Sequence, residues 1–193
     1  MIRILSNIFR TPAVLVAVGL VLFSYIADAQ QIGVKTNALM WTMFTPNVGC
    51  EVVVGERSSL DFSLFGHDRP LGVDSQLFAI QPEYRYWFNG RPMIREFVGA
   101  TLMAADYAMT ISNRCYDGYA LSAGLIGGYA FSLGVDWRLE LSGGLALLFF
   151  NHKQHYAHDN YDDYFIEEPV RANAWGYKLF PAKIGVTFTY IIR

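Results

Sequence analysis

Apolar and polar residues alternate with a period of two along most of this chain, in stretches separated by glycine, proline and asparagine. Successive side chains of an extended strand point to opposite faces, so the pattern predicts strands with one greasy and one polar face. Eight such stretches can be marked, at 33–42, 48–54, 59–65, 76–88, 95–105, 118–131, 137–150 and 175–192. Thr45-Pro46-Asn47 and Asn89-Gly90-Arg91-Pro92 between them carry residues that favour tight turns. Connections after the second, fourth and sixth stretches are short (55–58, 89–94, 132–136). Those after the third, fifth and seventh are longer (66–75, 106–117, 151–174). An even strand count with this parity predicts an all-β, closed, antiparallel, eight-stranded up-and-down transmembrane β-barrel.

The two faces differ in a way that bears on what wets them. Lys35, Glu51, Asp61, Glu83, Arg85, Arg138, Glu140 and Lys183 share the polar face, four positive and four negative groups. Around them sit small residues such as Ser63, Ala120, Ser122, Gly124, Gly128, Ser142 and Gly144. A water-facing surface has no reason to be so small, whereas the lumen of an eight-stranded barrel is crowded. Buried charges must be paired, so these eight are expected to form a lumen charge network that plugs the interior. The other face carries Leu60, Phe62, Leu64, Ile80, Leu121, Leu125, Leu141 and Leu145 in its middle. Aromatics gather at strand ends: Tyr84, Tyr86, Phe88, Trp137, Phe188 and Tyr190 at one, Trp41, Phe44, Phe149 and Trp175 at the other. Two such rings fit the interfacial girdles of a membrane barrel. The same residues would be core aromatics in a soluble sandwich.

Composition sharpens this picture. Hydrophobic residues make up 53% of the chain and charged residues 17%, yet no apolar run after the first 29 residues is long enough for a spanning helix. With twelve tyrosines, fourteen phenylalanines and seventeen glycines, strands are the expected outlet. Arg3 and Arg10 precede and flank an apolar run at 13–26, and Ala27-Asp28-Ala29 gives a small-x-small cleavage pattern. Residues 1–29 are therefore expected to be a signal peptide, with Ala27 and Ala29 at the cleavage site and Gln30 opening the mature domain, 30–193. Cleavage removes two arginines and one aspartate, taking the net charge from −2 to −3. Such a balance excludes nucleic acid as the expected partner.

The last stretch reads Lys183-Ile184-Gly185-Val186-Thr187-Phe188-Thr189-Tyr190. The order of Lys183, Gly185, Phe188 and Tyr190 resembles the terminal signal by which the barrel-assembly machinery recognises bacterial outer-membrane barrels. Gly33-Val34-Lys35-Thr36-Asn37-Ala38-Leu39-Met40-Trp41 and Thr45-Pro46-Asn47-Val48-Gly49-Cys50-Glu51 resemble the opening of a Bacteroidota outer-membrane β-barrel family of unknown function. Gln81-Pro82-Glu83-Tyr84-Arg85-Tyr86-Trp87 and Pro181-Ala182-Lys183-Ile184-Gly185 are similar to its later blocks. The likeness runs from about residue 32 to 192. It implies the OmpA-like barrel class, often encoded near fimbrial or envelope genes, and brings no catalytic residues. This chain ends Ile191-Ile192-Arg193, so its final signal is slightly displaced from that pattern.

Candidate chemistry is sparse. His152, His155 and His158 with Asp159, Asp162 and Asp163 have the donor types for zinc or copper, but equally those of a solvated outer loop. Tyr156, Tyr161, Tyr164 and Phe165 in the same segment suit an adhesive surface. His67 and Asp68, or Ser112 with His152, would be the raw material of a lipid-modifying enzyme, without a nucleophile motif around them. Cys50 and Cys115 have a spacing that settles nothing about pairing. The expectation is a monomeric, non-enzymatic outer-membrane envelope protein with no cofactor, no metal and no open pore, touching membrane lipid and a cell-surface or fimbrial protein through its loops. The alternatives are an outer-membrane lipid-modifying enzyme and a soluble exported ligand-binding barrel.

Overall fold

A computed structural model describes residues 31–111, 114–156 and 172–192. The expected signal peptide and its cleavage residues Ala27, Ala29 and Gln30 lie outside these, as do Ser112, His158, Asp159, Asp162 and Asp163. Eight antiparallel strands follow one another in chain order: β1 (Ile32–Asn37), β2 (Asn47–Gly55), β3 (Ser58–Asp68), β4 (Ser75–Trp87), β5 (Arg95–Ile111), β6 (Arg114–Ser132), β7 (Trp137–Tyr156) and β8 (Ala172–Ile192). Each pairs with its neighbours, and β1 also pairs with β8, from Ile32↔Ile192 to Asn37↔Thr187. The up-and-down sheet thus closes its hydrogen bonding into a ring at the end where β1 and β8 pair.

Three expectations need correction. The first strand was expected to run to residue 42, but β1 stops at Asn37 and α1 (Ala38–Thr42) follows. Asn37 Oδ1 accepts the Leu39 N–H, capping the turn, and the Met43 N–H closes it on Met40 O. The segments 106–117 and 151–174, expected as long loops, are strand at their described ends, 106–111, 114–117, 151–156 and 172–174. Asp106 pairs with Tyr119 and Ile111 with Arg114, while Asn151 pairs with Trp175 and Gln154 with Ala172. Likewise β3 reaches Asp68, and a short 3-10 turn (Pro70–Gly72) separates it from β4. The far rim, opposite the Ile32 and Ile192 ends, is therefore uneven. β1 and β2 have 6 and 9 residues against 20 and 21 in β7 and β8.

The interior is filled in layers. Nearest the chain ends, Trp87, Met93, Phe97, Ile126, Ala130 and Ile191 form a buried apolar plug. Met93 reaches it from the β4–β5 connection, in a left-handed conformation (φ 62°). Next come the charged residues and then Gln81, whose Nε2 donates to Thr101 Oγ1 and to Ala182 O, both at 3.0 Å. Ala79, Ala105 and Ala120 make a further layer towards the far rim.

Candidate functional site

The parity of each strand sends its charges inward, and closure brings them together. Lys35 Nζ on β1 lies 2.6 Å from Glu51 on β2, 2.8 Å from Asp61 on β3 and 2.7 Å from Glu140 on β7. Arg85 on β4 reaches Glu51 at 3.1 Å, Asp61 at 3.2 Å and Glu140 at 2.8 Å, and also pairs with Glu83. Lys183 on β8 meets Glu83 on β4 at 2.8 Å. In a ring of eight, β4 and β8 are opposite walls, so this last contact crosses the interior. Three cations and four carboxylates thus form one connected cluster, all buried except Lys183, which is partly so.

The eighth charge is placed differently. Arg138 Nη1 donates to the carbonyls of Gly134, Val135 and Trp137, at the turn between β6 and β7. It ties down that turn, on the chain-end side of the cluster. Burying so many ions is costly unless nearly every polar atom finds a partner. The apolar plug participates in that: Trp87 Nε1–H donates to Ser59 Oγ at 2.8 Å, and Ser59 donates to Glu51. The Arg85 guanidinium also lies 4.7 Å from the centre of the Phe97 ring. Plug and ion cluster are one packed unit.

The outer surface has the opposite character. Leu102, Leu121, Leu125, Leu141, Leu145 and Leu147 are exposed, Leu125 at 72%. Soluble monomers rarely leave contiguous apolar patches of more than a few hundred Å² bare. The edges of this face are marked by charge. On β5 the outward residues run from Glu96 through Val98, Ala100, Leu102 and Ala104 to Asp106. Ten residues of strand span about 33 Å, which a tilt of about 40° reduces to a band roughly 25 Å tall. At the chain-end edge Tyr86 packs on Phe88, Tyr129 on Phe131 and Trp137 on Tyr190. At the other edge Trp41, Phe44, Phe149, Trp175 and Tyr177 are exposed.

A family model described as a protein of unknown function, DUF3575, matches residues 14–192. The chain belongs to that family. No curated protein and no solved structure matches it. What this DUF3575 member does must therefore be argued from its own geometry.

In that geometry the remaining candidates separate. Cys50 on β2 and Cys115 on β6 are both free, on strands that are far apart in the ring order. Of the His152 metal set, His158, Asp159, Asp162 and Asp163 lie outside the described residues, among which no cluster of three or more potential ligands is formed; His152 itself is described. It sits instead among aromatics, stacked on Phe150 at 5.3 Å, edge-on to Tyr116, and bonded through Nδ1 to the Tyr107 hydroxyl at 3.1 Å. His67 and Asp68 diverge, since adjacent strand residues face opposite sides. Asp68 accepts from Gln76 Nε2 at 3.0 Å outside, while His67 turns to Thr45 and Ser75. Lys183 and Gly185 of the terminal pattern face inward, and Phe188 and Tyr190 outward. Ser75 escaped sequence reading because it stands at the end of what reads as a loop.

Proposed function

We propose that this chain is a closed, eight-stranded β-barrel of the bacterial outer membrane, carrying a sealed interior and presenting its far rim at the cell surface. The observation that supports it best is the inversion of sidedness: an apolar exterior band about 25 Å tall around an interior of paired charges. Lipid is the environment in which that exterior costs nothing, and water the one in which it would aggregate. The aromatic edges match the two interfaces of a bilayer. The order Lys183, Gly185, Phe188, Tyr190 suits recognition by the barrel-assembly machinery, after export directed by residues 1–29 and cleavage before Gln30. The resemblance to Bacteroidota outer-membrane barrels and the OmpA-like class points the same way.

The role this favours is structural, with the rim contacting a cell-surface or fimbrial protein. The interior is not a conduit, because the apolar plug and the ion cluster together occupy it near the chain ends. One experiment tests the reading. The mature chain, refolded into detergent micelles, is expected to migrate faster on a gel before boiling than after, and to fractionate with outer membranes in cells. A monodisperse, folded protein in plain buffer that ignores micelles would overturn it.

A further inference from the structure

The low side of the rim, where β1 and β2 end early, carries a hydrogen-bonded chain of three side chains, Thr45, His67 and Ser75. Thr45 is buried, and its hydroxyl donates to Met43 O at 3.3 Å. With that hydrogen on Met43 O, the same oxygen is an acceptor for His67 Nδ1–H, 3.0 Å away, which is one of the two tautomers this spacing admits. Nδ1 then carries the imidazole proton, and Nε2 presents a lone pair. Nε2 lies 3.1 Å from Ser75 Oγ, which in this tautomer is the donor. The order is Ser75 O–H to His67 Nε2, and His67 Nδ1–H to Thr45, the arrangement of a nucleophile, its general base and a group that fixes the base's tautomer.

The link to a substrate runs through His67, which lines a surface groove that Ser75 and Thr45 do not line. A groove opens there between Trp41, Phe44, Val48, Leu64 and Phe78, and its lining reaches His67. All five of these apolar side chains are exposed, and Val48, Leu64 and Phe78 belong to the outward band. In a membrane, acyl chains would lie against them without being lifted from the bilayer. The Arg69 backbone N–H donates to the Ser75 carbonyl at 2.8 Å and pins this end of β4, while the exposed Arg69 guanidinium lies 3.6 Å from the Asp74 carboxylate.

We propose that Ser75 and His67 are the catalytic residues of a hydrolase for acyl esters of membrane lipids, with Thr45 as positioning residue and the groove holding the acyl chain. This rests on the membrane reading and goes beyond the structural role. Ser75 Oγ attacks the ester carbonyl while His67 Nε2 takes its proton. The ester C–O bond breaks and the departing alcohol receives that proton. Water then attacks the acyl-serine, giving one proton to Nε2, which returns it to Ser75 Oγ as the fatty acid leaves. The balance is ester plus water to acid plus alcohol.

The test uses the full mature chain in micelles, with a fluorophosphonate probe and two substrates, phosphatidylethanolamine and lipopolysaccharide. Covalent labelling is expected on the peptide carrying Ser75, with fatty acid released from at least one substrate; which one identifies the lipid. Ser75→Ala and His67→Ala should each lower release by about 10³-fold or more while keeping heat-modifiable gel mobility. Thr45→Val should lower kcat with KM unchanged and alter the pH–rate profile, and Thr45→Ser should restore both. Wild-type protein that shows heat-modifiable mobility but neither labelling nor release would overturn this proposal alone. So would labelling that survives Ser75→Ala. Loss of heat-modifiable mobility in the wild type would instead sink the membrane reading.

Discussion

Arg85 Nη1 lies 2.8 Å from Glu140 Oε2, although β4 and β7 are not neighbours in the ring. The contact exists only because the sheet closes, and it makes Arg85 the hub of the interior: four carboxylates converge on one guanidinium. Arginine suits this position because its planar fork donates in several directions at once and stays charged when buried. Replacing Arg85 by alanine leaves Glu51, Asp61 and Glu140 to Lys35, and Glu83 to Lys183. Removing one partner of a buried ion pair costs about 3–5 kcal/mol. We expect Arg85→Ala to lower the free energy of unfolding in micelles, read from urea denaturation, by that amount, and Glu140→Ala to do likewise. Neither should raise conductance in planar bilayers, since the Trp87–Phe97 plug remains.

The outward band gives a position-dependent prediction. Leu125 is highly exposed and pairs with Ala100 and Leu145 in the middle of the apolar belt, whereas Trp175 stands at its far edge. In a bilayer, Leu125→Arg should destabilise folding into liposomes by about 2–4 kcal/mol, and Trp175→Arg by about 0–1. A soluble protein would show the reverse of a penalty at Leu125, because arginine there would improve its solubility. Equal effects at the two sites, measured by denaturant unfolding, would contradict the membrane assignment.

The thiols offer a simpler check. A disulfide needs Cα atoms within about 7 Å. Cys50 and Cys115 belong to β2 and β6, strands separated by three others along the ring, and both are free. Alkylation of the unfolded, unreduced protein should therefore add two adducts, read as intact mass. A species that takes up none before reduction would mean the ring is not closed in this register.

How far the sequence anticipated this can be judged from particular residues. The inward set Lys35, Glu51, Asp61, Glu83, Arg85, Glu140 and Lys183 was legible because strand parity alone decides which side a residue faces. Who pairs with whom was not, since Lys183 meets Glu83 only after closure sets the register of all eight strands. Arg138 has the right parity, but it stands at the turn and bonds backbone carbonyls. The residues of α1 are a short apolar run that reads as a continuation of the strand, and nothing in Ala38–Thr42 announces that the Asn37 side chain will cap a helical turn. Above the apolar band, Asp106 and Asp117 face outward and Tyr107 and Tyr116 inward, so both faces turn polar or amphipathic and the alternation fades. The hydrogen-bond ladder nevertheless continues to Ile111↔Arg114. Ser75 was illegible for a related reason: its partner His67 lies eight residues away across a hairpin whose strands outlast their hydrophobic signal.

Two adjacent glycines test the sidedness directly. Gly143 faces outward, and a Cβ there would meet nothing within 4 Å. Gly144 faces inward, where a Cβ would collide with the Leu125 carbonyl oxygen and with Ile126 Cγ2 and Cα. Backbone atoms of a paired strand cannot move aside without breaking the ladder, so the two substitutions should part company. Gly143→Ala should leave stability within about 0.5 kcal/mol, or raise it slightly by restricting the unfolded chain. Gly144→Ala should cost about 1–3 kcal/mol through overpacking, seen as a lower denaturant midpoint at unchanged slope. Because successive side chains of a strand alternate, shifting β7 by one residue would exchange the two outcomes. Observing that exchange would move Arg138, Glu140 and Ser142 to the outside and remove the interior cluster altogether.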